Sequence, residues 1–195
     1  MAVWRGSWVI INEVRRYYVR RWGDPIREAA YRWQGHEIVI LKWEASRNPE
    51  QVNLYATLGT SAHEMPGSPP SHRFEMFAGL EPANDSIAKP LAMVALEAIV
   101  NRTTLDSGHS VTFPDPLWPG TNMHSLLIVR PLVEIIPPLA TVDGKHIEFL
   151  QVVPVFESEV AFKAEHKASE LLKRWRTAHV PFWDPNRNPE PSTAT

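Results

Sequence analysis

Hydrophobic and polar positions in this chain recur with two periods, one near two residues and one near 3.6, which predicts both strands and helices. Along 12–22 a helical stripe carries Val14, Tyr18 and Arg21, with Asn12 as the expected N-cap and Gly23 as the stop. Segments 29–33 and 36–45 flank Gln34 and Gly35, the layout of a hairpin. Within the second arm Ile38, Val39, Ile40 and Leu41 are apolar at every position, as in a strand covered on both faces. Val52, Leu54, Ala56 and Leu58 alternate with Asn53, Tyr55 and Thr57, a period-2 strand ending at Gly59. A Pro-, Gly- and Ser-rich loop over 62–71 precedes a strand over 73–80 and a turn over 81–85.

Segment 86–102 reads as a helix, with Pro90 acceptable only in its first turn. Its apolar residues run nearly all round, so it should be deeply buried. Segment 107–121 should be mostly irregular, 126–133 a strand, and 146–153 a strand terminated by Pro154. The last helix is marked by Val160, Ala164, Ala168, Leu171, Leu172 and Trp175. Glu157 and Glu159 at its start and Lys173, Arg174 and Arg176 at its end complement the helix dipole. The order of elements predicts one α+β (mixed α/β) domain over 1–180, a central mixed sheet flanked by helices. The Pro-rich tail, 181–195, has little to bury and is expected to be disordered.

Composition narrows the classes. The chain has 195 residues, 44% hydrophobic and 22% charged, enough for one domain with a real core. Twenty Lys and Arg against 22 Asp and Glu leave a net charge of -2, which argues against a nucleic-acid binder. No Cys is present, so disulfides, thiolate metal sites and a Cys nucleophile are excluded. No targeting or membrane-spanning segment is legible, which reads as a cytoplasmic protein. The 18 Pro and 8 Trp imply many interrupted loops and a large apolar payload per residue.

Candidate chemistry is sparse. His63, His72, His109 and His124, with Glu64, Glu75, Asp106 and Asp115 nearby, offer metal-type donors, but none at diagnostic spacing. Thr60, Ser61, His63 and Glu64 crowd a hydroxyl, an imidazole and a carboxylate together in sequence. Neighbours on a strand point to opposite faces, so crowding alone builds no triad. Phosphate-loop and dinucleotide fingerprints are absent. No metal and no cofactor is therefore expected. Arg15, Arg16, Tyr17, Tyr18, Arg20, Arg21 and Trp22 interleave charge with aromatics, which suits single-stranded nucleic acid or simply a solvated helix face. Phe113, Leu117 and Trp118 sit in a loop stiffened by Pro114, Pro116 and Pro119. Such a loop suits either an anchor for a protein partner or a lid over the core. Glu157 and Glu159 could add acidic complementarity to a basic partner.

An ordered set of short motifs resembles the Suppressor-of-fused-like domain family. Leu54 to Leu58 leads into Gly59, Ser61, Glu64, Met65 and Pro66; Glu75 and Met76 follow on a strand, then a buried helix. His109 opens a loop, and Val153, Pro154 and Glu157 lead to the last helix. The family turn places Pro before Met, whereas this chain inverts the pair as Met65 and Pro66. The resemblance covers roughly 12–176 and implies a curved sheet flanked by helices, with no catalytic activity. It implies a protein-binding module, whose animal member grips a peptide in extended form, and whose stand-alone bacterial members act as immunity proteins against a cognate toxin. A small metal-dependent hydrolase using His63, His109 and a carboxylate is the alternative. In the family turn, Ser61 or Glu64 is expected to bond loop amides.

Overall fold

A computed structural model describes residues 3–131 and 135–189, with side chains from Trp8 onward. Helix α1 (Val3–Trp22) comes first. Strands β1 (Arg27–Trp33), β2 (His36–Trp43), β3 (Asn53–Leu58) and β4 (His72–Leu80) follow, then α2 (Ala88–Val100). Strands β5 (Ser110–Thr112), β6 (Met123–Val129), β7 (Leu139–Ala140) and β8 (His146–Phe156) lead to α3 (Glu157–Thr177). The strands form one curled sheet in the order β1-β2-β3-β4-β8-β6-β5, with β7 beside β8. Among the described residues only β4 and β8 pair in parallel, so the sheet is mixed and the domain α+β.

Alternation along the central strands sorts side chains to two faces. Ile38, Ile40, Tyr55, Met76, Leu150 and Val152 meet α2 on one face. Leu41, Leu54, Ala56, Phe77, Ile147 and Phe149 meet α1 on the other. Further along β6 and β8 the α1 side is taken over by α3, through Leu171 and Trp175 on Leu127, Val129, Val153 and Val155. This explains why β2 and β8 are apolar at consecutive positions: both faces are covered. Every residue of β3 is buried, so its period-2 pattern separates two interior faces rather than core from solvent.

Several expectations need correction. Asn12 is exposed in mid-helix rather than an N-cap, because α1 already begins at Val3. Its buried stripe is Ile10, Val14, Tyr18 and Trp22, the i, i+4 series. Arg21 lies beside that stripe, its Nε donating to the Ile135 carbonyl at 2.9 Å. The stretch 107–121 is mostly irregular, as expected, and contains the short strand β5. Strand β6 starts earlier than expected, and Leu132 and Val133, at the end of the expected strand, lie outside the described residues. Pro154 does not terminate β8; it pairs opposite Leu126 within the strand. Its carbonyl accepts from Arg187 Nη2 at 3.0 Å, on the side away from β6. A strand residue's N and carbonyl point the same way, so the missing N–H faces the side where pairing with β4 has ended at Gln151.

The tail expectation also fails, as far as residue 189. Glu81 N–H donates to the Trp183 carbonyl at 2.9 Å, and Arg187 is buried. Arg187 forms a bidentate pair with Glu159, 2.7 Å on each arm, and its guanidinium stacks between Phe156 and Trp175. Glu159 further accepts from Trp175 Nε1 at 3.1 Å and from the Phe156 N–H at 2.9 Å. Residues 190–195 lie outside the described residues. Removing one member of a buried, hydrogen-bonded pair leaves an uncompensated charge, at a cost of about 3–5 kcal/mol. Arg187→Ala, or truncation after Trp183, should therefore lower stability to urea by that order. Arg187→Met combined with Glu159→Gln should recover part of the loss.

Candidate functional site

Two places gather the residues singled out above. The first is the turn after β3. The β3–β4 ladder ends at Ala56 opposite Phe77, and the Thr57 side chain then replaces main-chain pairing by accepting the Met76 N–H at 2.8 Å. Into the opened space projects Glu75, fully buried. Its carboxylate accepts from the N–H groups of Gly59 (3.0 Å), Thr60 (3.3 Å) and Ser61 (3.0 Å). It also accepts from the hydroxyls of Ser61 and Thr57, at 2.6 Å each. Gly59 makes this wrap possible with φ of 121°, a conformation that side chains resist. Tyr18 OH donates to the Thr57 carbonyl at 3.1 Å, tying α1 to the same turn.

Glu75, not Glu64, therefore holds the loop amides. Glu64 is exposed and meets Arg73 at 3.3 Å. Met65 is half-buried against the core under α2, and the half-buried Pro66 offers its carbonyl to Thr104 Oγ1. Every described partner of the Glu75 carboxylate is a turn amide or a hydroxyl, so the carboxylate ties β4 to the turn after β3. Burial pushes the Glu75 pKa up, against the pull of the Ser61 and Thr57 hydroxyls and the Ser61 and Gly59 amides, and the balance lies above the ordinary carboxylate value.

The second place is a groove. Because the sheet curls around α2, the loop after β5 comes to face α2 and the end of β1. Between them lies a cavity of about 610 Å³. Its walls are Pro90 and Met93 of α2, Tyr31 of β1, and Phe113, Leu117 and Trp118 of the loop. Pro114, Pro116 and Pro119 frame it, and Asp85, Lys89 and Asp115 supply charge at its edge. Asp85 is anchored by Lys42 Nζ (2.5 Å), Tyr55 OH (2.8 Å) and Arg27 Nη1 (3.0 Å). Burial works against its charge, but these donors outweigh it and hold Asp85 below its usual value.

The structure divides the expected anchor. Leu117 and Trp118 are each 6% exposed and belong to the main core, so they line the groove from within instead of projecting outward. Phe113 is half-buried and presents its remaining surface to the groove. Glu157 is exposed at the start of α3, whereas Glu159 is committed to Arg187 and cannot meet a partner without breaking that pair.

The histidines do not assemble. His63 meets His36 edge to face (5.1 Å between ring centres), and His72 lies tilted against His146 (5.5 Å). Burial first, then His36 and Arg73, lowers the His63 pKa. His109 Nδ1 accepts from the Asp106 N–H at 3.2 Å in a separate exposed turn. Among the described residues no three His, Asp or Glu side chains converge as a metal requires. The groove residues Tyr31, Asp85, Lys89 and Met93 are not legible as a site in sequence, since only the curl of the sheet brings them opposite 113–119.

The architecture is a curled mixed sheet with α2 on one face and α1 and α3 on the other. The family model for Suppressor of fused protein (SUFU) matches residues 33–188, and the chain belongs to this family, whose domain is known as a protein-binding module. A Suppressor-of-fused homolog from Neisseria gonorrhoeae superposes with TM-score 0.63 at 14% identity, covering 95% of this chain and 96% of that one. Sufu in its crystallised complex with Fu gives 0.62 at 16% identity, over 88% of this chain and 84% of that one. Drosophila Suppressor of Fused gives 0.62 at 16% identity, over 88% of this chain but only 46% of its own. No curated protein matches in sequence. Among the described residues no helix is long and apolar enough to cross a membrane.

A direct check of the turn follows from Glu75. Glu75→Gln turns an amide N–H₂ toward donors and should cost about 1–3 kcal/mol near neutral pH. The folded carboxyl is the weaker acid, so its contribution favours the fold at low pH and is lost as pH rises through the folded value. Wild-type stability relative to Glu75→Gln should therefore grow, in paired denaturation curves, as the pH falls through the raised folded value toward the ordinary carboxylate value.

Proposed function

We propose that this protein is a cytoplasmic immunity protein that neutralises a cognate toxin by binding it, without catalysis. Family membership supports a protein-binding role. The observation that carries the proposed site is the groove between α2 and the loop 113–119, walled by apolar side chains and edged by Asp85, Lys89 and Asp115. Its loop wall is held by prolines and by the burial of Leu117 and Trp118, so a partner need not order it on binding. Phe113 is the anchor a partner can still cover, and Tyr31 and Met93 complete the apolar floor. An apolar side chain of the toxin seats there, and a basic residue beside it meets the Asp115 carboxylate.

The test is co-expression with the toxin encoded beside it. The chain should protect the cell and co-purify with the toxin as a complex. Phe113→Ala should weaken that complex about tenfold or more while leaving the melting temperature nearly unchanged. Trp118→Ala should instead cost about 3–5 kcal/mol of stability, because it empties part of the core. Absence of both protection and complex formation would overturn the toxin-neutralising reading. An unchanged affinity for Phe113→Ala would move the interface away from the groove.

A further inference from the structure

Among the described residues the sheet ends at β1 and β5, with the two-residue β7 beside β8, and β1 is the longest of these, with seven residues. Among the described residues no strand pairs with its outer side. A seven-residue open edge offers a row of free backbone donors and acceptors, which proteins cover or protect. The pairs Arg15–Glu28 and Arg32–Glu37 leave both β1 charges partly exposed, with Glu28 at 41% and Arg32 at 77% side-chain exposure.

The sequence of β1 is complementary to itself when reversed. We infer that the outer edge of β1 pairs antiparallel with β1 of a second copy, on a two-fold axis through Ala30, joining two sheets into one. In that register Glu28 stands opposite Arg32 of the other copy, and Arg32 opposite its Glu28. Opposite charges directly across an antiparallel ladder attract, and like charges repel. On the other face Arg27 stands opposite Trp33, a guanidinium over an indole. Ala29 stands opposite Tyr31, leaving room for the phenol ring. Ala30 meets Ala30 on the axis, where a small exposed side chain permits close approach.

The register is selected against its neighbours. An axis through Glu28 sets two carboxylates against each other, and an axis through Arg32 sets two guanidinium groups together. A perpendicular axis keeps faces matched, so Glu28 and Arg32 stay on the side where Arg15 reaches Glu28 at 2.8 Å. Tyr31 and Trp33 stay on the side packed against the core under α2. The contact is isologous, so it closes at two copies and builds no fibre.

Sedimentation velocity over a concentration series tests this. Wild type should show a reversible monomer–dimer equilibrium. Glu28→Arg alone and Arg32→Glu alone each replace two attractive pairs by two repulsive ones and should weaken the dimer about tenfold or more. Mixing the two single variants places every Arg opposite a Glu and should restore a heterodimer. The double variant Glu28→Arg with Arg32→Glu should also recover the dimer, although the pairs with Arg15 and Glu37 stay broken. Should a charge variant fail to fold, Ala30→Lys sets two ammonium groups on the axis and should abolish the dimer. Wild type that remains monomeric up to about 1 mM, or a mixture no tighter than either single variant, overturns the proposal. Phe113→Ala should leave the dimer intact, which separates this surface from the groove.

Discussion

Strand β8 pairs two ways, and the rest of the molecule depends on it. Its first half runs parallel to β4, from His146 to Gln151, and its second half antiparallel to β6, from Gln151 to Phe156. Among the described residues it is the strand that bridges the hairpin side, β1 to β4, and the β6–β5 side. A strand that changes partners midway lets the sheet bend around α2, and that bend carries the loop 113–119 round to face β1. Its apolar residues, buried on both faces, supply cores to all three helices at once. Where β4 departs, the free side of β8 is closed by the tail, through Arg187 on the Pro154 carbonyl and on Glu159.

Two buried carboxylates stand at the joints of this frame, for different reasons. Glu159 is neutralised by a guanidinium and fixes a chain terminus against β8 and α3. Glu75 has no described cation partner; turn amides and hydroxyls solvate it in place of water. Both obey the rule that a buried charge must be fully hydrogen-bonded. They explain why acidic residues that looked available for a partner or a metal are occupied with holding the fold.

The elements were largely legible because hydrophobic periodicity acts over short range. The hairpin about Gln34 and Gly35, the all-round burial of α2 and the charged ends of α3 all follow from neighbouring residues. Pro154 misled because its cost depends on which side of the strand lacks a partner, a property of the sheet. Arg187 was hidden because a tail rich in Pro and Asn carries no periodic signal of docking. Trp118 was ambiguous for a related reason: a Pro-rich loop can project or fold back, and only the curl of the sheet decides. The order of the family motifs pointed to the right domain, while the local reading of the turn gave amide binding to Ser61 or Glu64, where Glu75 performs it.

The groove therefore has a rigid inner wall of Leu117 and Trp118 and an accessible lip of Phe113, with Asp115 beside it. Such a site binds by shape and apolar contact, and charge at its edge sets which partner enters. The most direct measurement is amide hydrogen exchange on the chain alone and in complex with the proposed toxin partner. Slowed exchange centred on 85–93 and 113–119 is the expected result. Slowed exchange confined to other surfaces, such as the 107–109 and 163–169 face, with the groove unchanged, would contradict it.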